Sequence, residues 1–163
     1  LTLQINRLGF QEQSGLTVKQ LALRLNADKK QVRLRDFLLE LPSSRLQIDS
    51  IDASYQWNEQ GLDKSSLVYG GEIVNSFITP SDLRFFQGSL KNFQRQISLA
   101  TRFNGTWRHI DIPRLEIASE AEDINISANG FVDGLQDKTP AWKLNLNQLV
   151  LSEAIIDFLH KNI

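Results

Sequence analysis

The chain contains no cysteine and no methionine in 163 residues, and only two histidines. Absence of cysteine excludes disulfides, thiolate metal sites and a cysteine nucleophile, and it suits an oxidising compartment. Neither charge sign dominates: 18 basic residues face 19 acidic ones, a net charge of −1. A concentrated basic field is what phosphate-driven nucleic-acid binding requires, so no nucleic-acid partner is expected. No stretch approaches the roughly 20 consecutive apolar residues that span a bilayer as a helix. The first residues, "LTLQIN", read as the middle of a strand with no basic-then-apolar leader before them. The chain is therefore expected to be a piece of something longer, with any anchor or signal outside it.

What is present is alternation. "QLALRLNA" places Leu21, Leu23 and Leu25 on one face of a strand and Gln20, Arg24 and Asn26 on the other. "QVRLRD" does the same with Val32 and Leu34, "RLQID" with Leu46 and Ile48, and "WKLNLNQL" with Trp142, Leu144 and Leu146. Period two with one apolar and one polar face marks a half-covered sheet. Turn-rich stretches such as "QSG", "ADKK", "LPSS" and "DGLQDKTP" punctuate it. Nine strands are expected near 1–12, 16–27, 30–41, 44–57, 65–78, 95–106, 109–119, 123–133 and 141–151. Short connections predict an antiparallel meander within a single β-rich unit covering 1–163.

Two segments depart from period two and predict short amphipathic helices near 80–93 and 152–162. In the first, Leu83, Phe86, Leu90 and Phe93 fall on one helical face, with Thr79 as N-cap, Pro80 at the first position and Asp82 as capping acid. In the second, Ser152 is the N-cap, Glu153 lies in the first turn, and Ile155, Ile156, Leu159 and Ile163 form the stripe. Ser81 and Ser152 are 71 residues apart, while "RLQIDS" at 45–50 and "RLEIAS" at 114–119 are 69 apart and share four of six letters. Both offsets fit an internal repeat of about 70 residues, roughly 16–93 and 94–163; chance similarity between strands of like composition is the alternative.

Chemistry-bearing clusters are sparse, and a non-enzymatic protein without cofactor or metal is expected. His109 and Asp111 form an i, i+2 pair, short of the three or four ligands that a metal needs. Asp133 and Asp137 flank a turn without the spaced oxygens of a calcium loop. No nucleophile elbow, zincin, phosphate-loop or dinucleotide-glycine pattern occurs. "NGT" at 104–106 and "NIS" at 125–127 match glycosylation acceptors. Trp57, Trp107, Trp142, Tyr55 and Tyr69 could form a stacking surface, which leaves a secreted carbohydrate-binding sandwich as one alternative.

Two helices of a dozen residues cannot cover nine strands. The sheet therefore either closes over itself as a sealed sandwich or curls into a trough whose apolar lining suits acyl chains, each buried methylene being worth about 0.8 kcal/mol. In a trough, Leu21, Leu23, Leu25, Val32, Leu34, Leu46, Ile48, Leu144 and Leu146 would line the lipid groove, with Gln20, Arg24, Arg33, Arg45 and Gln47 turned to water.

The segment "FQEQSGLTVKQLALRLNADKKQVRLRDFLLELPSSRLQIDSIDASY" resembles the strand repeats of the bacterial TamB and AsmA-like envelope proteins, through Phe10, Ser14, Gly15, Leu21, Leu34, Pro42 and Ser44. "FITPSDLRFFQGSLKNF" is similar to the segment between repeat units of that family. "FNGTWRHIDIPRLEIAS" is similar to the strand pattern with which the family's next unit opens, through Gly105, Thr106, Ile110, Ile112, Leu115 and Ile117. The resemblance implies a long curled antiparallel sheet, a taco-like β-groove, in a periplasmic protein anchored in the inner membrane. It implies phospholipid acyl chains as cargo, a link to outer-membrane assembly, and an outer-membrane barrel as partner of the parent chain. Helices inside the array depart from the family pattern and would plug or segment the groove. A different class of function is a scaffold or chaperone that pairs outer-membrane strands with the open edge of "LTLQINRLGF".

Overall fold

The computed structural model describes residues 1–13, 15–85, 88–121 and 123–162. Among them nine strands form one antiparallel sheet in sequence order: β1 (Thr2–Gln11), β2 (Thr17–Ala27), β3 (Gln31–Glu40), β4 (Arg45–Asn58), β5 (Gly61–Ile78), β6 (Ile97–Thr106), β7 (His109–Ser119), β8 (Ile124–Asp133) and β9 (Ala141–Leu151). The sheet is not closed, and β1 and β9 each have one neighbour. The expected strands all form, within a few residues of their predicted ends. β5 begins earliest relative to expectation, at Gly61 rather than 65, because Gly61 adopts a positive φ of 117° and turns the β4–β5 hairpin tightly.

Cross-strand pairing separates two faces. One row runs Ala27–Val32–Ala53–Tyr69–Gly105–Ile110–Val132–Trp142 from β2 to β9 without a charged residue. A second runs Phe37–Ile48–Ile73–Thr101–Leu115–Ala128–Leu146. Its one hydroxyl, Thr101 Oγ1, donates to the Arg114 carbonyl (2.8 Å). On the opposite face the row Asn26–Arg33–Asp52–Gly70–Asn104–Asp111–Phe131–Lys143 is mostly polar. Ion pairs cross that face, among them Arg35–Asp52 at 2.7 Å and Arg102–Glu72 at 3.1 Å.

Every pairing except β3–β4 contains a register shift. Bulges bend a strand and increase its twist while leaving the apolar side chains on their own face. β3 shows how: where Asp36 takes a φ of 55°, the β2–β3 register shifts between Ala22 and Arg24, so that Arg35 rather than Asp36 faces Arg24, and Leu34 and Leu39 pair with Leu25 and Leu21. In β5, Asn75 (φ 47°) does the same, and Ser76 rather than Asn75 pairs with Leu99. "RLQIDS" and "RLEIAS" lie on β4 and β7, which run in opposite directions, whereas β5 and β9 run the same way and each leads into a helical element.

The predicted helix over 80–93 is corrected. Two 3₁₀ turns, Pro80–Leu83 and Gly88–Asn92, stand in its place. Phe86 of its predicted stripe lies outside the described residues, as do Ser14 and Ile163. Thr79 occupies the N-cap position, but its side chain does not cap; Oγ1 donates instead to the Ser43 carbonyl (2.6 Å). Asp82 is likewise diverted: its Oδ2 accepts from the Ser43 backbone N–H and from Ser44 Oγ, both at 2.8 Å. The cap residues thus tie the β3–β4 turn to the β5–β6 connection. Ser81 N–H then donates to the Phe93 carbonyl (3.1 Å), folding the segment back on itself where a helix would have extended. The second helix forms as α1 (Glu153–Asn162), with Ser152 Oγ accepting from the Ile155 N–H at 3.4 Å.

Among the described residues the buried hydrophobic cluster sits at one corner. Phe93, Ile124 and Ile155 are buried together, with Ile97, Ile117, Ile126 and Leu151 against them. A polar knot is buried as well: Ser44, Thr79 and Asp82 are all nearly inaccessible. Replacing Asp82 with alanine leaves Ser44 Oγ and the Ser43 N–H without their acceptor. An unmade buried hydrogen bond costs about 1–3 kcal/mol, so the Asp82→Ala variant is expected to lose stability in that range, read as a lower midpoint of urea unfolding. An unchanged midpoint would show that the knot is not structural.

Candidate functional site

The candidate site is the apolar face itself. All nine residues expected to line a groove fall on it by register: Leu21 pairs with Leu8 and Leu39, Leu23 with Ile5, Leu25 with Leu3 and Leu34, and Val32 with Ala27. Leu46 faces Leu39, Ile48 faces Phe37 and Ile73, Leu144 faces Gly130, and Leu146 faces Ala128. Arg24, Arg33 and Gln47 pair among the opposite set, with Arg35, Asp52 and Leu38 respectively, and Gln20 and Arg45 both pair with Glu40.

Little covers this face. None of the nine is buried; Leu144 is 43% and Leu146 51% exposed. Only Val18, Phe93, Ile124, Ala128 and Ile155 are buried hydrophobic residues among those described. The accessible surface is 10887 Å², against roughly 8,200 Å² for a compact monomer of this mass by size scaling. The excess is what a single sheet with one uncovered side should show. A sealed two-sheet core is not what the chain builds.

The two ends of the face differ. Where β5, β7 and β9 finish, α1 and the Gly88–Asn92 turn lie against the sheet through Ile155 and Phe93. At the other end are the β2–β3, β4–β5, β6–β7 and β8–β9 hairpins, and none of the described helical elements packs over them. All three tryptophans and both tyrosines gather on that side. Tyr55 and Trp57 meet edge to face at 6.4 Å, Tyr69 and Phe103 tilt together at 6.4 Å, and Lys64 Nζ lies 4.9 Å from the Trp107 ring centre. Glycines make room for the rings: a Cβ on Gly71 would come within 2.8 Å of the Phe103 ring, and one on Gly105 within 2.9 Å of Tyr69. Burial on this face pushes the Tyr69 hydroxyl above the ordinary phenol value.

The polar face carries a titrating cluster around His109. His109 Nε2 lies 3.1 Å from Asp111 Oδ1 and Nδ1 3.3 Å from Asp133 Oδ1, and the ring stacks on Phe131 at 5.7 Å. The i, i+2 pair expected from sequence is real, and Asp133 is the partner that sequence could not supply. Among the described residues no group of three or more potential ligands converges to hold a metal.

Comparison with protein-family models, curated proteins and solved structures gave no match for the chain.

The hydrogen bond to Asp111 first, then that to Asp133, raises the His109 pKa above its ordinary value. A raised folded-state pKa means that the clamp contributes fully below the unfolded value, about 6.5, and is lost as pH rises through the folded value. Proton-resolved titration of His109 is expected to show a midpoint above that reference. Asp111→Asn should bring it back down, and an unmoved midpoint would contradict the clamp.

Proposed function

We propose that this chain is a non-enzymatic segment of an envelope protein of the TamB and AsmA-like kind, working in the periplasm in a parent anchored in the inner membrane. Its sheet curls into a groove whose apolar face carries phospholipid acyl chains. The uncovered face supports this reading: rows of aliphatic and aromatic side chains run through successive strands and stay partly accessible. The bulges support the curl, since each bends its strand, and curvature of a sheet is built in this way. A water-soluble chain keeps such a surface where it meets something apolar.

Lipid is favoured over a protein core because the face continues to both outer strands. Leu3, Leu8 and Phe10 on β1 are 43–46% exposed, and Leu149 on β9 is 53% exposed. A surface that does not fade to polar at its margins suits a conduit that runs on past both edges. Organic extraction of the purified protein followed by mass spectrometry is expected to release phospholipid. Lipid-free protein that also fails to take up lipid from vesicles would refute the reading.

Leu23→Arg separates a surface from a core. In a groove the long side chain reaches water from its stem, so the fold survives and lipid uptake falls. A buried unpaired charge would cost several kcal/mol, against a total stability of about 5–15 kcal/mol. Survival of the circular-dichroism spectrum with loss of bound lipid is the expected result; global unfolding would return the face to a structural role.

A second reading has one specific support. The outer edge of β1 offers unpaired backbone groups over 10 residues, which suits strand addition by an outer-membrane client. Proline at Gln4 or Asn6 should then abolish capture of an unfolded barrel protein while leaving lipid uptake intact.

A further inference from the structure

We propose that the recess at the β2–β3 turn is a headgroup site for an anionic phospholipid, with Lys29, Lys30 and Trp57 holding the phosphate end while the tails lie on the apolar face. The inference rests on the lipid reading above and adds the headgroup class and its place.

The recess, about 890 Å³, is lined by Asp28, Lys29 and Lys30 of the turn and by Gln56 and Trp57 of β4. It opens at the hairpin end of the sheet, opposite the corner filled by Phe93, Ile124 and Ile155. An amphiphile whose tails occupy the face must place its polar end where the sheet is not blocked, and that is here. The row Ala27–Val32–Ala53–Tyr69 begins immediately inside the recess. Tyr55 and Trp57 continue the same side of β4 outward, and Trp57 is 61% exposed. An indole, with an apolar body and an N–H, suits the boundary between tail and headgroup.

The turn is pinned so that its lysines stand free. Asp28 Oδ1 accepts from the Lys30 N–H (2.7 Å) and the Gln31 N–H (3.0 Å), and Oδ2 accepts from Gln31 Nε2 (3.0 Å). Tyr55 binds the turn to β4 twice: its hydroxyl donates to the Asp28 carbonyl and its N–H to the Lys30 carbonyl, both at 2.8 Å. The one carboxylate of the recess is thus engaged by the turn. Lys29 and Lys30 are exposed and have no ion-pair partner among the described residues. Two ammonium groups against one engaged carboxylate favour a ligand with net negative charge. A zwitterionic headgroup would bring its own cation toward the lysines.

Isothermal titration of the 163-residue chain with monomeric dihexanoyl-phosphatidylglycerol, dihexanoyl-phosphatidylcholine and glycerol 3-phosphate tests this directly. The glycerol lipid is expected to bind about five-fold tighter than the choline lipid, the size of effect that one net lysine charge gives near a lipid phosphate. Lys29→Gln with Lys30→Gln should erase that preference while leaving the circular-dichroism spectrum unchanged. Equal binding of both lipids by the parent chain, or a preference that survives the double substitution, overturns the headgroup site and leaves the lipid face standing. Glycerol 3-phosphate binding as tightly as the glycerol lipid overturns it in favour of a soluble anion. If neither lipid binds, the lipid reading falls and this site with it.

Discussion

An antiparallel sheet that is apolar on one side must lay that side against something, and this chain supplies almost nothing to lay there. The rest of the structure depends on that constraint. Among the described residues, nine strands joined by short hairpins leave the β5–β6 connection and α1 as covering material. Both sit at one corner, over Ile97, Ile117, Ile126 and Leu151. The remaining aliphatic rows stay partly open, and the accessible surface exceeds that of a compact chain of this mass.

A sheet held with so small a core depends on its ladder and on local knots. Consecutive strands are paired along most of their length, which satisfies the backbone. Exposed ion pairs on the polar face, such as Arg24–Asp36 at 3.2 Å, add little individually, about 0–1 kcal/mol each. The turns carry more specific fastenings. Ser44, Thr79 and Asp82 lock the β3–β4 turn to the start of the β5–β6 connection. Ser119 Oγ donates to Asp123 and accepts from the Ile124 N–H, while Arg95 pairs with Asp123. Both knots lie at the end of the sheet where the small core sits, so that end is closed twice, by polar and by apolar contacts. The hairpin end is left to aromatic rings and lysines. This asymmetry gives the apolar face one blocked and one open end.

Much of the fold was legible because period two survives in the letters. Strand number, strand order and the placing of Leu21, Leu23, Leu25, Val32, Leu34, Leu46, Ile48, Leu144 and Leu146 on one face came from alternation. Alternation misleads only where the backbone inserts a residue: Leu38 continues the period of Val32 and Leu34, yet the bulge at Asp36 in the β2–β3 pairing sets Leu39 beside Leu21 and Leu38 beside Ala22. The helix predicted over 80–93 failed for another reason. Its caps were sound in isolation, but a turn nearly 40 residues earlier in sequence competes for Asp82 and Thr79, and no local pattern reveals such a competitor. Lys29 and Lys30 read as turn chemistry alone, since their neighbour Trp57 arrives through pairing of distant strands.

The central claim is that the apolar face meets lipid and the polar face does not. Site-specific photocrosslinking in cells grown with labelled phosphate tests it most directly, with a benzophenone side chain placed at Leu34 or Leu115 on one face and at Arg33 or Gln47 on the other. Labelled lipid is expected on the protein when the probe replaces Leu34 or Leu115, and not when it replaces Arg33 or Gln47. Equal labelling from both faces, or none from the apolar one, would contradict the account.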